Sequence, residues 1–311
     1  MEINSGIIII NKPKGITSHD VIYHVRRKLG IKKAGHTGTL DPMATGVLPV
    51  CFGNATRIIE YMESDMKTYS CEIQLGITTD TLDITGEVVS ESDYSDITDA
   101  KVKKAFKAFK GEIDQVPPIY SALKVNGKKL YEYARKGEEV EIKSRKTFIE
   151  YLKIKTIDLE NNVIAFDVKC SKGTYIRSIC RDVGEALGCG ATMTGLVRTQ
   201  SGKFDIKNAI DLYDFDTIST DTINELVLPL DFSLDDLGLC IIDDESAWKF
   251  VRGQRIAERN VSLISDTKID NRFAVYLNDK KSENFLGTAK YESENYCYKA
   301  VKVIGDINED I

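Results

Sequence analysis

One aspartate in this chain is mounted as a reactive carboxylate would be. It is Asp41, in the loop Gly35-His36-Thr37-Gly38-Thr39-Leu40-Asp41-Pro42. Glycines at 35 and 38 permit backbone angles that other residues avoid and let a ligand come close. Pro42 fixes its own φ and pushes Asp41 towards an extended conformation. A carboxylate on such a stiffened loop, with the apolar run Val47 to Phe52 close behind it, suits catalysis. Three roles are open to it: nucleophile, general base, or counter-charge to a cationic sugar. The same string is also ordinary turn material, since Asp-Pro and His-Thr-Gly recur in turns. A phosphate-binding P-loop is excluded, because no Gly-Lys-Ser/Thr closes the motif.

The elements that must hold this loop can be read on either side of it. Residues 6–10 read as a buried strand that ends at the turn Asn11-Lys12-Pro13-Lys14-Gly15. Thr17 or Ser18 then caps a helix carrying Val21, Ile22, Val25 and Leu29 on one face, and Gly30 stops it. Residues 31–46 form a loop, and Val47 to Phe52 a buried strand. Alternation predicts strands at 67–75 and 84–89, and a helix at 98–110 carries Val102, Phe106 and Phe109. Residues 111–145 differ in kind: Pro117-Pro118, several tyrosines and dense lysines read as a connector or inserted arm. Strands at 147–157 and 163–170 follow, and Gly173 opens a helix reaching Leu187-Gly188. The acidic stretch 205–245, interrupted by Pro229, reads as a link of short helices to a second unit at about 246–311. That unit starts on a helix around Trp248 and continues as short strands, a small β-rich domain.

A chain of 311 residues suggests two domains at a prior of roughly 150 residues each. With 42% hydrophobic and 29% charged residues and 6 Pro, it has the composition of a globular protein with a sizeable core. No apolar run approaches the roughly 20 residues that span a bilayer. No small-residue cleavage site follows the short Ile7 to Ile10 run, so no signal peptide and a cytoplasmic location are expected. Seven cysteines, at 51, 71, 170, 180, 189, 240 and 297, form no Cys-x-x-Cys pair, and only 3 histidines exist. That argues against a Cys/His zinc site and for free thiols.

The formal net charge of −6 disguises an uneven distribution. Residues 205–245 hold ten Asp, two Glu and one Lys, a net of −11, which leaves +5 for the rest. Residues 1–35 carry seven basic and two acidic groups, and residues 101–147 thirteen and six. Two basic segments of this kind fit a phosphate backbone, and they equally fit a pair of solvated helix faces.

The string GHTGTLDPMATGVLPV, Gly35 to Val50, resembles the signature motif of the bacterial tRNA pseudouridine-55 synthase family. Further segments resemble that family in the same order. They are NKPKGITS from Asn11, Lys67-Thr68-Tyr69, and Thr79-Asp80-Thr81-Leu82-Asp83. QVPPIYSALK from Gln115 and GKKLYEYAR from Gly127 resemble the bacterial inserted arm, and SKGTYIR from Ser171 and Leu196-Val197-Arg198 complete the set. The likeness runs over roughly residues 5–210. It implies an α+β pseudouridine synthase fold, with a central mixed, mostly antiparallel sheet flanked by helices and loops. The implied catalytic domain is 1–240, with an RNA-binding arm inserted at about 111–146. A small PUA-like β-rich domain at 246–311 is implied more weakly, by Trp248-Lys-Phe-Val-Arg-Gly-Gln and Phe285-Leu-Gly.

The resemblance also implies an activity and a set of roles. Uridine becomes pseudouridine: N1–C1′ breaks, the uracil turns, and C5 bonds to C1′, with no cofactor and no metal. Asp41 would be the essential carboxylate, and Arg177 the cation that helps to keep it ionised by lowering its pKa. Asp83 would hold Arg177 in turn. The target base must be flipped out of the RNA fold to be reached. Tyr69 matches the stacking and catalytic tyrosine, Tyr175 and Leu196 other pocket positions, and His36 a support for the RNA loop. Lys12 and Pro13 would shape the catalytic loop. The partner implied is the T-arm of tRNA, read largely by shape and phosphate contacts, with the arm ordering on binding. A stand-alone monomer is expected, with neither membrane nor protein partner. Two rivals remain from the residues themselves. One is a glycosidase or nucleosidase pairing Asp80 and Asp83 or Asp41; the other is a non-catalytic RNA-binding protein.

Overall fold

The computed structural model describes residues 4–62 and 66–305. Residues 1–3 and 63–65 of the expected catalytic domain, and the last six of the expected C-terminal domain, lie outside the described residues. The isoleucine run forms the middle of strand Gly6–Lys12, as β-branched side chains favour. Ile8 and Ile10 pack against helix Ser18–Leu29, while Ile7 and Ile9 face a core shared with the C-terminal unit. Both faces of the strand are covered, which is why the run does not alternate with polar residues.

Gly6–Lys12 belongs to a ten-stranded sheet. In spatial order its main path is Ile210–Asp211, Gly6–Lys12, Thr45–Phe52, Ala191–Ser201, Lys67–Leu75, Val163–Cys170, Arg145–Asp158 and Gly111–Gln115. Gly6–Lys12 pairs parallel with Ile210–Asp211, and Thr45–Phe52 parallel with Ala191–Ser201; the other pairings are antiparallel. The fold is the mixed, mostly antiparallel sheet of the α+β expectation. Helices Asp99–Lys107 and Ile176–Leu187 contribute to the core on its wider half, where Phe106 meets Phe166 edge-on at 5.1 Å. The two halves join through only two register pairs, Val197↔Thr45 and Arg198↔Gly46. Gly46 has a φ of 103°, and a Cβ there would overlap the Arg198 carbonyl, so only glycine fits the join.

Several elements differ from the sequence reading. The predicted strand at 84–89 shrinks to Val88–Glu91, because the turn at Asp83 hydrogen-bonds Ile84 to Met193 and holds it out of register. Residues 111–115 and 145–149, the two ends of the expected arm, pair as the sheet's edge. The arm proper is therefore 116–144, a two-residue-strand hairpin (Lys124–Val125 with Lys128–Lys129) and helix Leu130–Lys136. Helix Ile176–Leu187 starts three residues beyond Gly173.

The acidic stretch is not a loose link. Ile210–Asp211 joins the sheet edge, and Leu212, Phe215 and Ile223 complete the core around Ile8 and Ile10. Asp216 accepts from His24 at 2.6 Å, and the Arg27 guanidinium lies 3.8 Å away. Asp216 is thus folded against the basic helix Ser18–Leu29.

The C-terminal unit is a six-stranded sheet. Its strand Gly238–Ile242 precedes the expected start at 246, and Cys240 and Ile242 pack with Phe250 and Phe273 in that unit's own core. The change of unit therefore falls before Gly238. Leu234, Leu237, Tyr276 and Phe285 share a core with Ile7, Val47 and Tyr61, so the two units are welded by burial. All seven cysteines are buried and free. Among the described residues no helix is long and apolar enough to cross a membrane.

Candidate active site

The Asp41 loop is gripped from below by the segment that precedes the first helix. Thr17 caps that helix reciprocally with Asp20, its hydroxyl receiving the Asp20 amide and its own amide donating to the Asp20 carboxylate. That leaves Ser18 free to turn inward, where its hydroxyl donates to the Leu40 carbonyl at 3.0 Å and accepts the Leu40 amide at 2.8 Å. Lys12 is fully buried, and its Nζ donates to the carbonyls of Ile16 (2.7 Å), Pro13 (3.0 Å) and Pro42 (3.3 Å). Burial pulls its pKa down to about 8, against the opposing pull of Asp41. Lys12 and Pro13 thus act on the loop's shape, with the Pro13 carbonyl as one of the acceptors.

Asp41 opens into a cavity of about 770 Å³, within the usual range for small-ligand sites. Arg177 Nε lies 2.9 Å from Asp41 Oδ2, and Arg177 Nη1 lies 3.6 Å from Asp83 Oδ2. Arg177 Nη1 also donates to the Thr81 carbonyl and Nη2 to the Tyr120 carbonyl, each at 3.0 Å. Asp83 is itself fixed by Thr81, the Thr85 amide and the Thr85 hydroxyl. Arg177 and Asp83 are each 6% exposed at the side chain and Asp41 37%, so the network leaves one carboxylate facing the cavity. Arg177 pulls the Asp41 pKa down, as expected of the cation, yet the net shift is upward, because withdrawal from bulk water outweighs Arg177 and Lys12, and the neighbouring Asp83 charge adds to the rise.

Tyr69, Tyr175 and Leu196 line the same cavity with Asp41 and Arg177. Tyr69 is on the strand Lys67–Leu75 and its pKa is raised by burial, so it is a neutral phenol at ordinary pH. Tyr175 precedes the Arg177 helix, its backbone clamped by the Gln115 side-chain amide, which accepts at 2.8 Å and donates at 3.0 Å. His36 does not line the cavity. It ends the short strand Ala34–His36, and its Nδ1 accepts the Gly38 amide at 3.3 Å, which puts the ring proton on Nε2. Burial and the nearby Arg198 charge lower its pKa and favour the neutral ring. Asp80 accepts from the Tyr120 hydroxyl at 3.1 Å and from the Glu87 amide at 2.8 Å, away from Asp41. Asp83 is buried and committed to Arg177, Thr81 and Thr85, and Asp80 to Tyr120 and Glu87, so neither offers Asp41 the second free carboxylate that a glycosidase would need. Among the described residues there is no cluster of metal ligands.

The sequence reading gave no role to Ser18 beyond capping, nor to Gln115, Tyr120 or Arg198. Each was inside a quoted motif; Ser18, Gln115 and Arg198 act on backbone atoms more than 20 residues away, and Tyr120 through its own carbonyl, which accepts from the Arg177 side chain. The cavity's far wall is the arm: Tyr120 to Leu123 and Tyr131, with Arg145, Lys146 and Lys172 on its lining.

This arrangement has known counterparts. The profile of the TruB family pseudouridylate synthase N-terminal domain matches residues 26–176, and that of the tRNA pseudouridylate synthase B C-terminal domain matches residues 177–235. The tRNA pseudouridine synthase B of Clostridioides difficile (strain 630) is 42% identical over 290 residues, covering 93% of this chain and 95% of that one. That of Clostridium kluyveri is 43% identical over 298 residues, 96% and 99%. Among solved structures, an H/ACA ribonucleoprotein bound to a substrate RNA containing 2′-deoxyuridine superposes with a TM-score of 0.74 at 25% identity, covering 99% of this chain and 87% of that one. A Cbf5-Nop10-Gar1 complex gives 0.73 at 27%, covering 99% and 85%. Alike in sequence over almost its whole length, the chain belongs to the TruB family of pseudouridylate synthases and is an isomerase that acts on tRNA.

Proposed function

We propose that this enzyme converts uridine 55 in the T-loop of tRNA to pseudouridine, with Asp41 as its essential carboxylate. The observation that carries the reading is the single exposed carboxylate of the Asp41–Arg177–Asp83 network, facing a cavity walled by Tyr69, Tyr175 and Leu196. A base flipped out of the stack needs an aromatic face and an apolar wall, and these side chains supply both. Tyr69 stacks on the uracil as a neutral phenol. Tyr175 and Leu196 bound the space in which it turns, and His36 supports the RNA loop from the cavity's edge.

The reaction conserves atoms and electrons. N1–C1′ breaks, C5–C1′ forms, the C5 proton leaves and N1 ends protonated, so no redox partner or co-substrate is required. Asp41 serves as an anion beside C1′, where a positive sugar or a removable proton develops. Arg177 holds that anion in place through Nε. The lysines and arginine of the arm and of the cavity rim grip the phosphates of the T-arm. The chain works as a cytoplasmic monomer without a protein partner, the 116–144 arm supplying the RNA contacts.

Mapping pseudouridine in an unmodified tRNA transcript tests the site. The expected product is one pseudouridine, at position 55, and none in a transcript with cytidine there. Modification at another uridine, with position 55 untouched, would overturn the assignment.

A further inference from the structure

Arg198 ends the motif Leu196-Val197-Arg198, and the reaction as described leaves it without a task. Its side chain is 1% exposed and among the largest that are fully buried. Burying a guanidinium is unfavourable unless its donors are met, and here they are met by backbone of the catalytic loop. Arg198 Nη2 donates to the Gly38 carbonyl at 2.9 Å and Nη1 to the Thr39 carbonyl at 3.4 Å, both just before Asp41. Nε donates to the Val47 carbonyl at 2.7 Å, on the strand just after it. The same guanidinium sits beside the Tyr69 phenol, whose pKa it lowers against the rise that burial causes. Backbone register repeats the pattern: Arg198 is the partner of Tyr69 across one ladder and of Gly46 across the other. One residue therefore spans the two-pair join between the half-sheet that carries the Asp41 loop and the half-sheet that carries Tyr69.

We propose that Arg198 is a positioning residue for the isomerisation: it fixes the distance between the Asp41 carboxylate and the Tyr69 ring, between which the flipped uridine is held. This rests on the reading of Asp41 as the essential carboxylate and extends it to the part that sets the geometry. Arginine is required by the shape of the task, since its planar fork reaches acceptors on three sides and a lysine ammonium cannot span them. Although it borders the cavity, its 1% exposure and its hydrogen bonds to Gly38, Thr39 and Val47 make it act through the loop and the phenol.

The test is single-turnover pseudouridylation at saturating tRNA, with tRNA affinity and thermal melting measured in parallel, for Arg198→Lys, Arg198→Met and Asp41→Asn. A misplacement of about 1 Å costs on the order of 100-fold in rate, so that loss is expected for Arg198→Met and roughly tenfold for Arg198→Lys, with affinity within about threefold for both. Tyr69→Phe is expected to cost less in the Arg198→Met background than in wild type, because the two side chains act as one unit. Should Arg198→Met fail to fold, Arg198→Lys decides alone. Rates within about threefold of wild type, or a loss of affinity in step with the loss of rate, would overturn the inference. If Asp41→Asn keeps the wild-type rate, the Asp41 reading itself fails and the inference falls with it, a result distinguishable from indifference at Arg198 alone.

Discussion

The floor of the cavity and the arm that walls it are both rich in charge, and they use it in opposite ways. In the floor and directly behind it, Arg177, Arg198, Lys12 and Asp83 are buried, and their hydrogen bonds go to named backbone or side-chain atoms. On the arm, Lys128, Lys129 and Arg135 ride over tyrosine rings, Lys128 over Tyr133 at 5.5 Å and the other two over Tyr131 at 5.4 and 5.3 Å. Buried charge is costly to rearrange and so fixes geometry, whereas exposed charge is screened by salt and supplies attraction at little structural cost. The floor is built to hold one arrangement, and the arm to adhere to a polyanion.

Substitutions can break that contrast. Arg177→Met removes the hydrogen bond to Asp41 and leaves Asp83 buried without its cation. A loss of 100- to 1,000-fold in single-turnover rate is expected, of the size seen when one fixed donor at a charged centre is removed. The pH profile gives a second readout. The Asp41 pKa is raised, so activity is lost, as pH falls, at a higher pH than an ordinary aspartate would give. Arg177 opposes that rise, so in Arg177→Met the acid limb moves further up. A limb that stays in place would separate Asp41 from Arg177. Asp83→Asn keeps the shape and removes the charge behind Arg177. About a tenfold rate loss is expected, with the acid limb moving down because the Asp83 charge contributes to raising the Asp41 pKa.

The arm should respond differently. Replacing Lys128, Lys129 and Arg135 together by alanine is expected to leave the saturated rate within about threefold while weakening tRNA binding. The slope of log affinity against log salt should fall by roughly two to three units, in line with three lost phosphate contacts. A collapse of the saturated rate would mean that the arm shapes the floor after all, through the Tyr120 carbonyl on Arg177. Smallest of all should be Trp248→Ala. Its half-exposed ring lies 4.0 Å under the Arg252 guanidinium in the C-terminal unit, away from the cavity lining, and rate and affinity should change by less than about twofold.

The same contrast explains what the sequence made legible. The isoleucine strand, the capped helix ended by Gly30 and the loop around Asp41 rest on local patterns, so composition and spacing exposed them. The pocket set of Tyr69, Tyr175 and Leu196 came through family motifs, and the cavity gathers them. Contacts set by long-range register were not legible. Arg198 meets Gly38 from 160 positions away, and Gln115 clamps Tyr175 from 60. The acidic stretch read as a linker because it holds Pro229 and little regular pattern beyond short helices, yet Leu212, Phe215 and Ile223 join the first helix in covering one side of a strand buried on both faces. The net upward shift of the Asp41 pKa was not legible, because a nearby cation can be inferred from a motif, whereas withdrawal from water depends on the walls of a cavity.

The most direct test of the account compares wild type with Asp41→Asn on one unmodified tRNA transcript, measuring the single-turnover rate of pseudouridine formation and the dissociation constant together. The substitution keeps the side chain's size and removes its charge. The account predicts no detectable pseudouridine from Asp41→Asn, a loss beyond about 1,000-fold, with tRNA affinity within about threefold of wild type. Pseudouridine formed by the variant at a rate near that of wild type would contradict it.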